Sequence, residues 1–154
     1  MQTHAGRSRV VVGFDGSDDS RRALEWAATE CELRHCRLEV LHADRWSPVA
    51  LELPAFEEEE RAEERTLEEG ILLVRKAHPT LEVTGRRVPP PAGEALVAAA
   101  RGASLLVVGS RGLGRFQQMM IGSVSRYCTE HARCTVVVVH PPEEPDVEGL
   151  SAQG

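Results

Sequence analysis

"VVGSRGLGRFQQMMIGSVSRY", residues Val107–Tyr127, is the stretch on which the fold turns. Its first residues continue the run that begins at Leu105, an apolar, β-favouring segment that stops at Gly109. Four glycines, at 109, 112, 114 and 122, then lead to "SVSRY", where a helix is ready to start. A buried strand, a glycine-rich loop and a helix N-terminus in that order form a cradle for an anion. Glycine lets backbone approach a ligand closely, and the first amides of a helix have no acceptor within it. Charge agrees with this reading. From Leu105 to Thr129 there is no Asp or Glu, only Arg111, Arg115 and Arg126.

The 154-residue chain has a net charge of −6, and residues 57–69, with eight Glu against Arg61 and Arg65, hold all of that imbalance. An acidic chain with one locally basic, glycine-rich loop points to a small anion, because a nucleic-acid partner would need a broad basic face. Apolar runs are only a few residues long, so no membrane span is expected. The N-terminus lacks an apolar stretch followed by a small-residue cleavage site, which predicts a cytoplasmic protein. Cys31, Cys36, Cys128 and Cys134 do not make a disulfide framework and read as small buried residues. C-x2-H-x2-C at 128–134 has no second ligand pair to complete a metal site.

Working outward, "SRVVVGFDGS" predicts a buried strand from Arg9 to Phe14 that ends in a turn. A helix follows, with apolar residues at 23, 24, 27, 28 and 31 and an Asp or Ser N-cap. "CRLEVLHAD" is a second strand, "RWSPVALELP" a loop, and the Glu-rich segment a long helix to Lys76. Leu67, Ile71, Val74 and His78 share one face of that helix, and Glu57 pairs with Arg61 at i, i+4. "LEVTGRRVP" is a third strand closed by prolines 89–91, and "AGEALVAAARG" a short helix ended by Gly102. "SLLVVG" is strand four, a helix runs from about Gly122 to His131, and "CTVVVVH" is strand five. His42, His78 and His140 read as ordinary strand and helix residues. This alternation predicts an α/β fold: a single-domain, open, doubly wound parallel five-stranded sheet of order 3-2-1-4-5, helices on both faces, Rossmann-like. The domain spans 9–140, with a flexible N-terminus at 1–8 and a disordered tail at 141–154.

In that order the chain reverses direction between strands 1 and 4, and ligands sit beyond the strand ends at such a switch. The two ends are "FDGS", Phe14–Ser17, and "GSRG", Gly109–Gly112. Gly109 and Gly112 allow close approach, the amides of Ser123, Val124 and Ser125 offer donors, and the Ser123 and Ser125 hydroxyls add two more. Arg111 and Arg115 are placed to fold over terminal phosphates. Asp15 reads either as a turn and cap residue or, across the switch, as a contact to base, ribose or nucleotide-bound Mg²⁺. No metal site is expected from the protein alone. Neither G-x-G-x-x-G nor G-x-x-x-x-G-K-[ST] nor G-x-S-x-G is present. A receiver domain would need an acid after strand 3 and a Lys after strand 5, where this chain has Val88-Pro89 and His140.

What remains is Gly109-x2-Gly112-x9-Gly122-Ser123, and with it the chain resembles the nucleotide-binding branch of the universal stress protein family. "VVVGFDGSDDSRRALEWA", "LEVLHA", "SLLVVGSRG" and "CTVVVVH" share the likeness, which covers residues 8–140. The resemblance implies ATP, ADP or another adenine nucleotide as ligand. Gly13, Asp15 and Ala43 would line the adenosine end, and Val108, Gly109, Gly112, Gly122, Ser123, Val124 and Ser125 would hold ribose and phosphates. It also implies a homodimer in which Val136, Val137, Val138 and Val139 of strand 5 pair across a two-fold, covering an apolar edge. Gly13 and Ala43 stand where larger apolar residues often occur in the family, which implies a looser adenine pocket. Gln117 and Gln118 read as solvent-facing, and no residue pair stands out as catalytic. The expected function is therefore a stress-response binding protein whose nucleotide orders the 110–122 loop. Two alternatives stay open: a nucleotide-free dimeric scaffold, and an ATP pyrophosphatase-type adenylating enzyme suggested by the partial echo in "DGSDDS".

Overall fold

The computed structural model describes residues 6–45, 54–112 and 121–143. Along the chain the elements are β1 (Arg9–Gly13), α1 (Asp18–Arg34), β2 (Arg37–Ala43), α2 (Pro54–Ala77), β3 (Val83–Val88), α3 (Ala92–Ala99), β4 (Leu105–Gly109), α4 (Ser123–His131) and β5 (Thr135–Val139). The strands form one parallel sheet in the order β3-β2-β1-β4-β5, as the alternation predicts. Most of the loop at 45–54, the expected flexible segment up to residue 5 and the expected tail from 144 onward lie outside the described residues.

β1 shows why these strands carry no polar–apolar alternation. Val10 and Val12 pack into one core cluster with Ala23, Leu24, Ala27 and Val74, while Val11 packs into the other with Leu96, Leu106 and Cys128. Both faces of a central parallel strand are covered by helices, so every position is apolar. The helix starts follow local chemistry. Ser17 is the N-cap of α1, its hydroxyl oxygen accepting from the Ser20 N–H at 3.2 Å. Gly102, at φ +76°, adopts the left-handed backbone that turns the chain after α3 and leads it to β4. Cys31, Cys36 and Cys128 are buried as apolar fillers, and burial raises the Cys31 and Cys128 thiols to about 12 and about 11.

His78, just past α2, is not an ordinary helix residue. It is buried, with Nε2 at 3.1 Å from Glu25 Oε1 and Nδ1 at 3.0 Å from Glu32 Oε1, both on α1. Burial opposes its cation, but Glu32 and Glu25 outweigh that and hold its pKa above the usual 6.5. A histidine raised in the folded state adds stability that is complete below 6.5 and lost as pH rises through the folded value. Melting curves of the wild type should therefore fall as pH is raised above neutrality. In His78→Asn that component of the pH dependence disappears; parallel profiles for the two proteins would refute the clamp.

Candidate functional site

β1 and β4 lie side by side, with Val12 opposite Val107, and their carboxyl ends carry Asp15 and the 109–112 segment. The turn after β1 is held by Asp15, whose Oδ1 accepts from the Ser17 N–H at 2.9 Å and from the Ser17 hydroxyl. Its other oxygen, Oδ2, faces the loop, 2.9 Å from where a Cβ on Gly112 would stand. Asp15 thus builds the Asx-type turn that was one of its two expected roles, and its second oxygen faces Gly112. Gly16 takes the left-handed φ of +83° that the turn needs.

Both ends of the glycine loop converge on Ser110, which is fully buried. The Gly122 N–H donates to the Ser110 carbonyl at 2.6 Å, and the Ser125 hydroxyl, at 3.1 Å, reaches the same oxygen. Ser110 N–H donates to the Val139 carbonyl at 3.0 Å, which ties the loop to β5. Gly122 caps α4 without a side-chain hydrogen bond, and the first helical bond runs from Arg126 N–H to Gly122 O at 3.0 Å. The amides of Ser123, Val124 and Ser125 precede that bond, and no acidic residue lies in the first turn. An uncapped helix start beside a glycine backbone suits a phosphate group.

Three of the expected site residues have neighbours within the protein. Ser125 is buried and its hydroxyl is spent on the Ser110 and Gly122 carbonyls, leaving its backbone amide as the group that can serve a ligand. Val108 packs in the core with Val11, Leu41 and Leu96, so only its backbone is at the site. Arg111 has its Nε 3.3 Å from Asp19 Oδ2, with its side chain 35 % exposed. Gly13 and Ala43 close β1 and β2, both half-buried; a Cβ on Gly13 would lie 3.1 Å from Leu96 Cδ1, so this glycine makes room for α3. Ser123 and Val124 are exposed. Arg115, Gln117 and Gln118 lie outside the described residues.

Two groups at this end of the sheet have partners that sequence reasoning missed, and His42 is a buried link rather than an ordinary strand residue. Asp19, only 6 % exposed, accepts from the Ser110 hydroxyl at 3.0 Å, the Arg111 N–H at 3.1 Å and Arg22 Nη2 at 2.9 Å. Burial raises its pKa, but the hydrogen bonds from Ser110, Arg22 and Arg111 prevail and hold it below the usual carboxylate value. His42, 3 % exposed on β2, donates Nδ1–H to the Phe14 carbonyl at 2.8 Å and turns Nε2 to Glu63 on α2. His42, Asp44 and Glu63 place three metal-type donor atoms within 4.8 Å of one another. Protein groups already engage them: Arg87 grips both Asp44 oxygens at 2.8 Å, and Glu63 accepts from the Arg45 N–H at 3.1 Å. This cluster is an ion-pair network bracing α2 against the ends of β2 and β1.

A parallel five-stranded sheet of this order, with helices between its strands, defines a doubly wound α/β domain. A family model described as the universal stress protein family matches residues 6–140. The chain belongs to the universal stress protein family. It is 36 % identical over 137 residues to a universal stress protein of Thermus aquaticus, covering 84 % of this chain and 96 % of the relative. To one from Mycobacterium tuberculosis it is 32 % identical over 141 residues, covering 85 % of this chain but 47 % of the relative. The chain thus spans about half the length of that mycobacterial relative. Among solved structures, a universal stress protein in complex with cAMP is 28 % identical with a TM-score of 0.70, covering 88 % of this chain and 98 % of that one. A universal stress protein of Archaeoglobus fulgidus in complex with dAMP shares the fold at 23 % identity and a TM-score of 0.65, covering 86 % of this chain and 97 % of that one. Among the described residues no helix is long and apolar enough to cross a membrane.

Proposed function

We propose that this protein binds ATP or a closely related adenine nucleotide at the ends of β1 and β4, and serves as a stress-response binding protein rather than a catalyst. The observation that carries the reading is that Gly112, which faces Asp15, lies beside Gly122, where the uncapped α4 begins. Backbone amides of Gly112, Ser123, Val124 and Ser125 would hold phosphates, and Gly13, Asp15 and Ala43 would border the adenosine. The solved relative carrying cAMP supports an adenylate as ligand. Mg²⁺ would enter with the phosphates, with Asp15 as the carboxylate nearest them.

In this reading the nucleotide fixes the arrangement of the 110–122 loop and so selects the dimer state or protein partner. The protein acts as a homodimer joined through β5, whose Val136, Val137, Val138 and Val139 are half-buried in a single chain. A cytoplasmic location goes with four cysteines carried as free thiols. The test is direct. Purified protein is denatured and the released small molecules are identified, and trypsin cleavage after Arg111 and Arg115 is timed with and without ATP. Recovery of intact adenylate and slower cleavage with ATP are expected. A nucleotide-free protein that neither takes up ATP nor changes its cleavage would leave only a scaffold, and released pyrophosphate would indicate an adenylating enzyme.

A further inference from the structure

The loop has an anchor that lies outside the glycine pattern. Asp19 sits in the first turn of α1, and one of its oxygens, Oδ2, receives the Ser110 hydroxyl, the Arg111 amide and Arg111 Nε. Ser110 in turn presents its carbonyl to Gly122 N–H and Ser125 Oγ, where α4 begins. A chain of hydrogen bonds therefore runs from α1 through Ser110 to the start of α4. The backbone contact is equally close: a Cβ on Gly109 would stand 2.8 Å from the Asp19 carbonyl carbon and oxygen. β4 ends pressed against the first turn of α1.

We infer that Asp19, acting through Ser110, is the positioning residue that holds the two ends of the loop in register for a phosphate chain. This rests on the nucleotide reading above and adds to it the residue that sets phosphate affinity in particular. Three features argue for positioning rather than simple packing. The acid is only 6 % exposed, and a carboxylate that far from water persists only where it is paired and hydrogen-bonded. Its bonds go to the backbone and side chains of the loop entrance, 91 and 92 residues away in the chain, and not only to its own helix. It also restrains Arg111 through Nε, tying that cation to the loop entrance. Preorganising donors in this way lowers the ordering cost of binding a polyphosphate.

The test separates phosphate from nucleoside recognition. ATP and adenosine affinities are measured by calorimetry for the wild type, Asp19→Ala, Ser110→Ala and Asp18→Asn, with melting temperatures recorded for each. Asp18 shares the first turn of α1 and is exposed, so it controls for charge at that helix end. ATP affinity should fall about tenfold in Asp19→Ala and Ser110→Ala, with adenosine affinity within about twofold of wild type. Asp18→Asn should match the wild type for both ligands. If Asp19→Ala does not fold, Ser110→Ala carries the same signature, since it keeps the backbone and loses only the hydroxyl. An unchanged ATP-to-adenosine ratio in a folded variant, or a parallel loss of both, overturns the anchor while leaving nucleotide binding intact. A wild type that binds neither ligand overturns the functional reading itself.

Discussion

In a Gly112→Val variant, ATP affinity falls by about 10- to 100-fold while the protein still folds. Among the described residues the atom nearest the new Cβ is Asp15 Oδ2, at 2.9 Å, the end of a side chain rather than backbone, so a small shift of that carboxylate accommodates the change. No left-handed backbone is demanded at this glycine, since among the described glycines the positive φ values fall at Gly16 and Gly102. The ligand is less forgiving. An isopropyl group between Asp15 and the loop blocks the approach of phosphate to the Gly112 amide. Losing one or two charge-assisted bonds of about 1.5–3 kcal/mol each accounts for the expected decrease. Gly122→Val should act in the same direction, its Cβ lying 3.4 Å from the Ser110 carbonyl. Titration of folded variants with ATP gives the answer, and wild-type affinity in both would remove the phosphate cradle.

With the proposed pairing through β5, Val138→Pro is expected to give a monomer with its fold retained. The Val139 carbonyl accepts from Ser110 N–H, so Val139 directs its backbone groups toward β4. In a strand alternate residues point their N–H and C=O to opposite edges, which leaves those of Val136 and Val138 facing away from β4. Proline at 138 removes a donor from the outer edge and none from the β4–β5 ladder. Val139→Pro is the contrasting variant: it strikes the inner edge and should lower the melting temperature markedly. Sedimentation of the two variants distinguishes them. A Val138→Pro protein that still sediments as a dimer would place the two-fold elsewhere.

The strands were legible because a parallel sheet covered on both faces requires nearly unbroken apolar segments, and "VVV", "LLVV" and "VVVV" meet that requirement without ambiguity. Helix ends were legible for the same local reason: Ser17 accepts from an amide three residues on, and Gly122 begins a helix it does not otherwise join. The Glu57–Arg61 pair was legible from spacing alone, and its atoms lie 3.7 Å apart. Side-chain partners across the sheet were not. His42 looked like a strand residue and is a buried link between Phe14 and Glu63. Asp19 stood in the sequence only as part of "DGSDDS", where nothing marks a partner 91 residues away.

By itself the sequence determined the class of fold, the strand order and the location of the glycine loop at the switch point. Those follow from periodicity, chain connectivity and the handedness of crossovers, all of which act over short stretches. Only the tertiary structure decided what Asp19, Ser110, Arg111 and Ser125 bond to. Whether a hydroxyl or guanidinium meets a ligand or a neighbour depends on which groups folding brings within about 3 Å, and sequence spacing carries no record of that.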